Sequence, residues 1–256
     1  MLSSDYFIAL GRSISTWGDY VSAHGGHRAA LLYSVLDSGS QIIFSQYSAS
    51  LKAAGITVDP IAVDLKATSP PSVAAQIARN HDDVLTGSVD TGLFAQIAQA
   101  TNQASPGQLK VILSPIGYDK TFLAVFGKSL PGLSTVVTYT PFEEHTGPIQ
   151  KFLAAMTAYS PEVQPAENEI AIAGWLDTDL TLTGLAAAGP CPTRATFVTG
   201  LRNITRYNAG GLLVTPVNLK TNFGQLNLCY TFVKIAPTGT SWQVDKPAPR
   251  CGHPLQ

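Results

Sequence analysis

Short apolar runs alternate with segments of helical periodicity through the first half of the chain. Apolar runs bounded by Gly, Pro, Asp or Ser are typical of buried strands, and apolar residues three and four positions apart are typical of helices. The predicted strands are residues 28–35, 56–63, 84–86, 110–113 and 134–140. The predicted helices are residues 13–22, 40–54, 69–78, 93–102 and 119–126. This alternation with short loops predicts βαβ units and a doubly wound parallel sheet, so the fold class is α/β.

The second half follows a different pattern. Helical spacing recurs in residues 149–159, 169–187 and 192–202, and the middle segment is long and strongly apolar. Residues 211–217, 226–233 and 242–244 then predict strands separated by loops rich in Gly, Thr and Asn. The expected order is therefore an α/β lobe, a helical segment and a short β segment.

Composition narrows the function classes. Charged residues make up 13% of the 256 residues, with 16 Lys and Arg against 17 Asp and Glu. Because no basic excess or cluster is present, the sequence offers nothing to neutralise nucleic-acid phosphates. The low charge is common in proteins that work outside the cytoplasm. No apolar run reaches the roughly 18–20 residues of a membrane span, and residues 1–10 lack the basic start of a signal peptide.

Three cysteines are present, and none has the spacing of a zinc site. Cys229 lies in a predicted strand and Cys251 in a Pro-rich tail, so a disulfide between them is one interpretation in an oxidising compartment. The alternative is three separate thiols. If the disulfide forms, Cys191 is left over.

Three loops follow predicted strands at the edge where parallel sheets bind ligands: residues 34–40, 87–91 and 114–118. Each contains Gly or small polar residues, so backbone N–H groups could face a ligand. Asp37, Ser38, Asp90 and Thr91 could instead only cap the helices that follow. Because three such loops share one edge, we favour a binding site there.

Catalytic signals are weak. Residues 37–39 and 90–92 match the Asp-Thr/Ser-Gly turn of aspartic proteases, but both precede helices, whereas that family is mostly β. No nucleophile elbow or phosphate-binding P-loop is present. His24 and His27 flank a glycine turn, and His145 follows two glutamates without the spacing of a metal site. We therefore expect no enzyme activity, no cofactor and no metal.

Several segments follow one another in a distinctive order, among them RAALLY at 28–33, LKAAGITV at 51–58, DVLTG at 83–87, FLAAMTAY at 152–159 and GPCPTR at 189–194. Taken in that order, they resemble the type I periplasmic binding proteins, the leucine and branched-chain amino-acid-binding group that serves ABC importers. The resemblance spans nearly the whole chain.

The resemblance implies an extracytoplasmic protein that captures a small ligand, such as an amino acid or amide, for an ABC permease without catalysis. In the family, loops of the second lobe contact the ligand. The corresponding residues here are Asp37, Ser38, Ser88, Asp90, Thr91, Ile116 and Tyr118. We expect Asp90 to pair with an ammonium group and Tyr118 to form an aromatic wall. The family's acidic residue aligns near Ile116, which puts leucine itself in doubt.

The resemblance also implies that the first half of the first lobe is missing, so that the chain enters at the crossover around residues 6–10. The expected division is a remnant of the first lobe and crossover at 1–24, the ligand-binding lobe at 25–145, helices returning to the first lobe at 146–211, and a β segment with tail at 212–256. We expect an exposed apolar face on the returning helices and weak or absent amino-acid binding by this chain alone. The competing readings are a ligand-sensing domain of a receptor or regulator with the same fold and, less favoured, an α/β hydrolase.

Overall fold

A computed structural model describes residues 12–222 and 224–255. Its α-helices are α1 Thr16–Ala23, α2 Ser38–Ala53, α3 Pro70–Asn80, α4 Thr91–Ala104, α5 Lys120–Phe126, α6 Gly147–Tyr159, α7 Glu169–Ala188 and α8 Arg194–Arg202. Its strands are β1 Ser13–Ile14, β2 Arg28–Ser34, β3 Thr57–Val63, β4 Val84–Ser88, β5 Val111–Ser114, β6 Ser134–Val137, β7 Cys229–Ile235, β8 Trp242–Val244, β9 Arg250–Cys251 and β10 Pro254–Leu255. The predicted start of the chain at the crossover, residues 6–10, lies outside the described residues.

The central sheet has the strand order β3-β2-β4-β5-β6-β7-β8. Strands β2 to β6 are parallel, as the alternating pattern predicted. Strand β7 pairs antiparallel with β6, β8 pairs antiparallel with β7, and β9 pairs with the start of β7. The C-terminal strands therefore extend the sheet of the α/β lobe.

Helices cover both faces of this sheet, which confirms the doubly wound arrangement. Side chains of β2 alternate between the faces: Ala29 and Leu31 pack with α1 and α2, whereas Ala30 and Leu32 pack with α3 and α4. On the first face the Trp17 ring stacks on Tyr47 with centroids 4.5 Å apart. Burying apolar side chains on both faces makes the strands read as continuous apolar runs.

Helices α6 and α7 join the core on the α3–α4 face. Phe152 of α6 is fully buried, as are Ile172 and Leu176 of α7. The opposite side of α7 leaves Ile170 and Leu182 exposed, so the expected apolar surface is present. The division into lobes remains a prediction. Within the described residues, no helix is long and apolar enough to cross a membrane.

The strand predicted at residues 211–217 is wrong. The segment makes only single-residue bridges, Tyr139 with Leu213 and Tyr207 with Val217, after a 3-10 turn at Ala209–Gly211. Gly210 and Gly211 both have positive φ, which is incompatible with an extended strand. The apolar residues there belong to a partly buried loop, not to a strand.

The disulfide prediction is confirmed. Cys229 and Cys251 face each other on the paired strands β7 and β9 and are joined by a disulfide bond. Cys191 is exposed and unpaired within the described chain, as expected for the remaining cysteine.

Candidate functional site

The loops after β2 and β4 are tied together at the carboxyl edge of the sheet. The backbone N–H of Ser34 donates to the Ser40 hydroxyl at 2.8 Å, and that hydroxyl donates to the Ser88 carbonyl. Gly87 lies directly against β2, and a Cβ at this position would stand 2.2 Å from the Leu32 carbonyl oxygen. The absence of a side chain at Gly87 therefore permits the approach that brings the two loops together.

A cavity of about 320 Å³ opens at this edge. It brings together four of the predicted contact residues: Asp37, Ser88, Asp90 and Ile116. The rest of its lining is Ser34, Val63, Leu65, Val89 and Leu93. The lining thus combines five apolar residues with four polar ones, and small-molecule sites likewise combine apolar surface with polar groups.

The two carboxylates of the cavity also cap helices. Asp37 accepts a hydrogen bond from the Gly39 N–H at 2.9 Å, and Asp90 accepts one from the Leu93 N–H at 2.9 Å. Asp37 and Asp90 therefore both cap their helices and line the cavity. Because no Lys, Arg or His lines the cavity, its charged side chains are all acidic.

Ser38 and Thr91 are the first residues of α2 and α4 and do not line the cavity. Thr91 lies beside the third loop, since a Cβ at Gly117 would stand 3.7 Å from the Thr91 methyl carbon. The loops at 87–91 and 114–118 are therefore neighbours, as predicted.

The prediction that Tyr118 forms an aromatic wall facing the ligand is wrong. Its side chain is 1% exposed and packs against Phe142 and Trp242 in the core. The Tyr118 hydroxyl donates to Glu143 and accepts from the Phe142 N–H at 2.8 Å. Burial and the neighbouring Glu143 carboxylate raise the pKa of Tyr118 well above its ordinary value. The ring therefore anchors the third loop.

Sequence reasoning missed the apolar lining and one distant acidic residue. Val63, Leu65 and Val89 lie at the ends of strands or just after them. The rule that parallel sheets bind ligands at these ends, from which the three loops were predicted, therefore covers these residues as well. Glu169, at the start of α7, accepts hydrogen bonds from the Gly117 and Tyr118 N–H groups at the same edge. No local signal links residues so far apart in sequence.

The histidines lie elsewhere. His24 contacts Asp245 at 3.1 Å and His27 contacts Asp83 at 3.2 Å, so neither is simply a solvated turn residue. His145 has a left-handed backbone after the 3-10 turn of Glu143 and Glu144. In the described part of the chain, no three His, Cys, Asp or Glu residues form a group suited to a metal ion.

Comparison with known proteins identifies relatives by fold. The family model described as "Periplasmic binding protein" matches residues 5–240. A search of curated proteins gives no match. A leucine binding protein from Thermotoga maritima aligns with a TM-score of 0.72 and 15% identity over 93% of this chain and 65% of its own. A branched-chain amino acid ABC transporter protein from Thermus thermophilus with bound valine gives 0.76 and 12% over 93% and 65%.

A solute binding protein from R. palustris in complex with benzoate gives a TM-score of 0.67 and 14% identity over 94% of this chain and 62% of its own. At such low sequence identities, the similarity to these structures is a similarity of fold. The chain spans 62–65% of the length of these structures.

Proposed function

Because this chain belongs to the periplasmic binding protein family, we propose that it serves an ABC transporter by binding a small ligand without catalysis. The observation that carries the proposal is the cavity at the carboxyl edge of the sheet, where Asp37, Ser88, Asp90 and Ile116 meet. Strand ends of a parallel sheet are where open α/β folds bind ligands.

The proposed ligand class is an amino acid or amide. The Asp90 carboxylate lines the cavity and would accept hydrogen bonds from a ligand ammonium or amide N–H group. Apolar Leu65 and Ile116 offer surface to an uncharged side chain. Related structures contain valine or benzoate, so small ligands of similar size are bound by proteins with this fold.

The proposed setting is outside the cytoplasm, with an ABC permease as partner. The disulfide between Cys229 and Cys251 supports this setting, because such bonds persist in oxidising compartments. Membership of the periplasmic binding protein family supports the same setting independently of the disulfide.

Titration of the ¹⁵N-labelled chain with valine, leucine and glutamine, followed by amide NMR, tests the proposal. We expect saturable shifts at the Ser88 and Asp90 amides, with affinities far weaker than micromolar. Asp90→Asn should weaken binding several-fold, because the ligand's cationic group loses its charged partner. Asp119→Asn is the matched control, since Asp119 also caps a helix but does not line the cavity.

Absence of any saturable shift at the edge with every ligand would contradict the proposed site. Equal affinities for the wild type and Asp90→Asn would contradict the role of Asp90. A low-micromolar dissociation constant for an amino acid would overturn the expectation that this chain alone binds weakly.

A further inference from the structure

Two consecutive backbone donors lie at the edge of the sheet directly beyond β5. The Gly117 N–H donates to one carboxylate oxygen of Glu169 at 2.7 Å, and the Tyr118 N–H donates to the other at 3.2 Å. Gly117 and Tyr118 are both buried, whereas Glu169 is partly exposed. One carboxylate therefore spans both donors.

The backbone shape of this loop creates the donor pair. Gly117 has a φ of +111°, which L-residues with a side chain rarely adopt. This conformation turns two successive N–H groups toward the same point, an arrangement that binds anions. Because buried N–H groups are costly without an acceptor, the pair needs an occupant if Glu169 leaves.

The donor pair belongs to the same edge as the cavity. Ile116 lines the cavity, and Gly117 follows it directly. The charged side chains of the cavity, Asp37 and Asp90, are acidic and would repel a ligand carboxylate. The Gly117 and Tyr118 N–H groups are donors of the kind that such a carboxylate requires.

Neighbouring contacts hold the Glu169 segment in place independently of its carboxylate. Lys120 and Glu167 form an ion pair of 2.5 Å, and Asp119 forms an antiparallel bridge with Asn168. The segment immediately before Glu169 is therefore held against the third loop by contacts that do not involve the Glu169 carboxylate.

We propose that the Gly117 and Tyr118 N–H groups form a carboxylate subsite, which Glu169 occupies as an internal competitor of ligand carboxylates. The inference rests on the proposed function, because it assigns a part of the ligand to the same edge. Removal of the Glu169 carboxylate should make the subsite available and strengthen binding of carboxylate ligands.

Amide NMR with sodium benzoate as the probe tests this assignment in the whole chain. Glu169→Ala should show saturable shifts at the Gly117 and Tyr118 amides, with an apparent dissociation constant about tenfold below that of the wild type, because the competitor is gone. Glu167→Ala is the control: it removes a carboxylate from the same segment but leaves the donor pair occupied. Sodium chloride at equal ionic strength separates carboxylate binding from general anion binding.

Equal responses of the wild type, Glu169→Ala and Glu167→Ala would overturn the inference, as would an equal response to chloride. If Glu169→Ala fails to fold, Glu169→Gln replaces it, and a smaller but resolved gain in benzoate affinity is expected. Shifts at Ser88 and Asp90 without any at Gly117 in the Glu169 variants would leave the proposed function intact and refute the subsite. Shifts at Gly117 alone would support the subsite and contradict the proposed cavity.

Discussion

Asp82 and Asp83 are neighbours just before β4, yet their carboxyl groups experience opposite environments. The Asp82 side chain is fully buried, with the Arg28 Nε 3.5 Å away and the Asp59 carboxyl beside it. Burial and the second carboxyl raise the pKa of Asp82 to about 7, although Asn80 and Arg28 oppose the rise. Burial also acts to raise the pKa of Asp83, but N–H groups of Arg28 and His27 and the Lys110 ammonium outweigh it and lower the pKa to about 2.

Asp82 should make the protein less stable as the pH rises. Its pKa is 3.8 in the reference state and about 7 when folded, so the folded state holds the proton more tightly. Stability from this group is therefore complete below pH 4 and falls up to about pH 7. Asp82→Asn should flatten that fall and be more stable than the wild type at pH 8. Urea unfolding at pH 5 and pH 8 measures the free energy of unfolding of both proteins. If this free energy changes equally between the two pH values in the wild type and in Asp82→Asn, the prediction is contradicted.

Asp83 should act in the opposite direction. Its folded pKa of about 2 lies below the reference value of 3.8, so its stabilisation is present above pH 4 and is lost toward pH 2. Asp83→Asn should cost about 1–2 kcal/mol at pH 7, because a neutral amide accepts the same bonds more weakly. The difference from the wild type should vanish near pH 2 in unfolding experiments. A deficit that is independent of pH would point to packing instead of charge.

At the scale of the elements, the close pairing of β4 with β2 depends on Gly87, which has no side chain. Gly87→Ala places a Cβ 2.2 Å from a carbonyl oxygen of β2 and forces a φ of +143° on alanine. We expect a loss of several kcal/mol or no folded protein, because the two strands must separate. Gly55→Ala is the control: its φ is +78°, but nothing lies within 4 Å of the added carbon. It should cost about 1 kcal/mol in thermal unfolding. Equal costs would show that backbone strain, not strand contact, decides the effect at Gly87.

The elements that could be predicted are those whose signals are local. The five parallel strands follow from apolar runs with flanking Gly and Asp, and the caps Asp37 and Asp90 follow from the residues before α2 and α4. The position of β7 beside β6 could not be predicted, because no local pattern in either segment indicates which strand, far away in the sequence, it pairs with. Tyr118 was misassigned since its loop reaches the ligand edge while its ring turns into the core. The contact of Glu169 with the third loop was missed for the same reason, because no local pattern links residues so far apart in the sequence.

At the scale of the whole molecule, the outward face of α7 leaves large apolar side chains exposed to solvent. Leu182 is 59% and Leu185 41% exposed, and Trp175 lines a shallow groove beside them. Exposed apolar side chains grouped on one helix face favour association.

We expect concentration-dependent self-association in sedimentation experiments. Leu182→Glu with Leu185→Lys should shift the protein toward the monomer, because this helix face becomes charged. Val125→Glu is the control, since Val125 is 65% exposed on α5. A wild-type protein that sediments as a monomer at every concentration would contradict the prediction.

The pairing of β6 with β7 has a consequence for synthesis on the ribosome. Ser134 pairs with Lys234, and helices α6 to α8 lie between them in the chain. While those helices are being translated, β6 is an open edge strand whose free N–H and C=O groups can recruit other nascent chains. The edge of β6 is covered only when β7 emerges, so the time for which this edge stays exposed on the ribosome is set by the elongation rate across these helices.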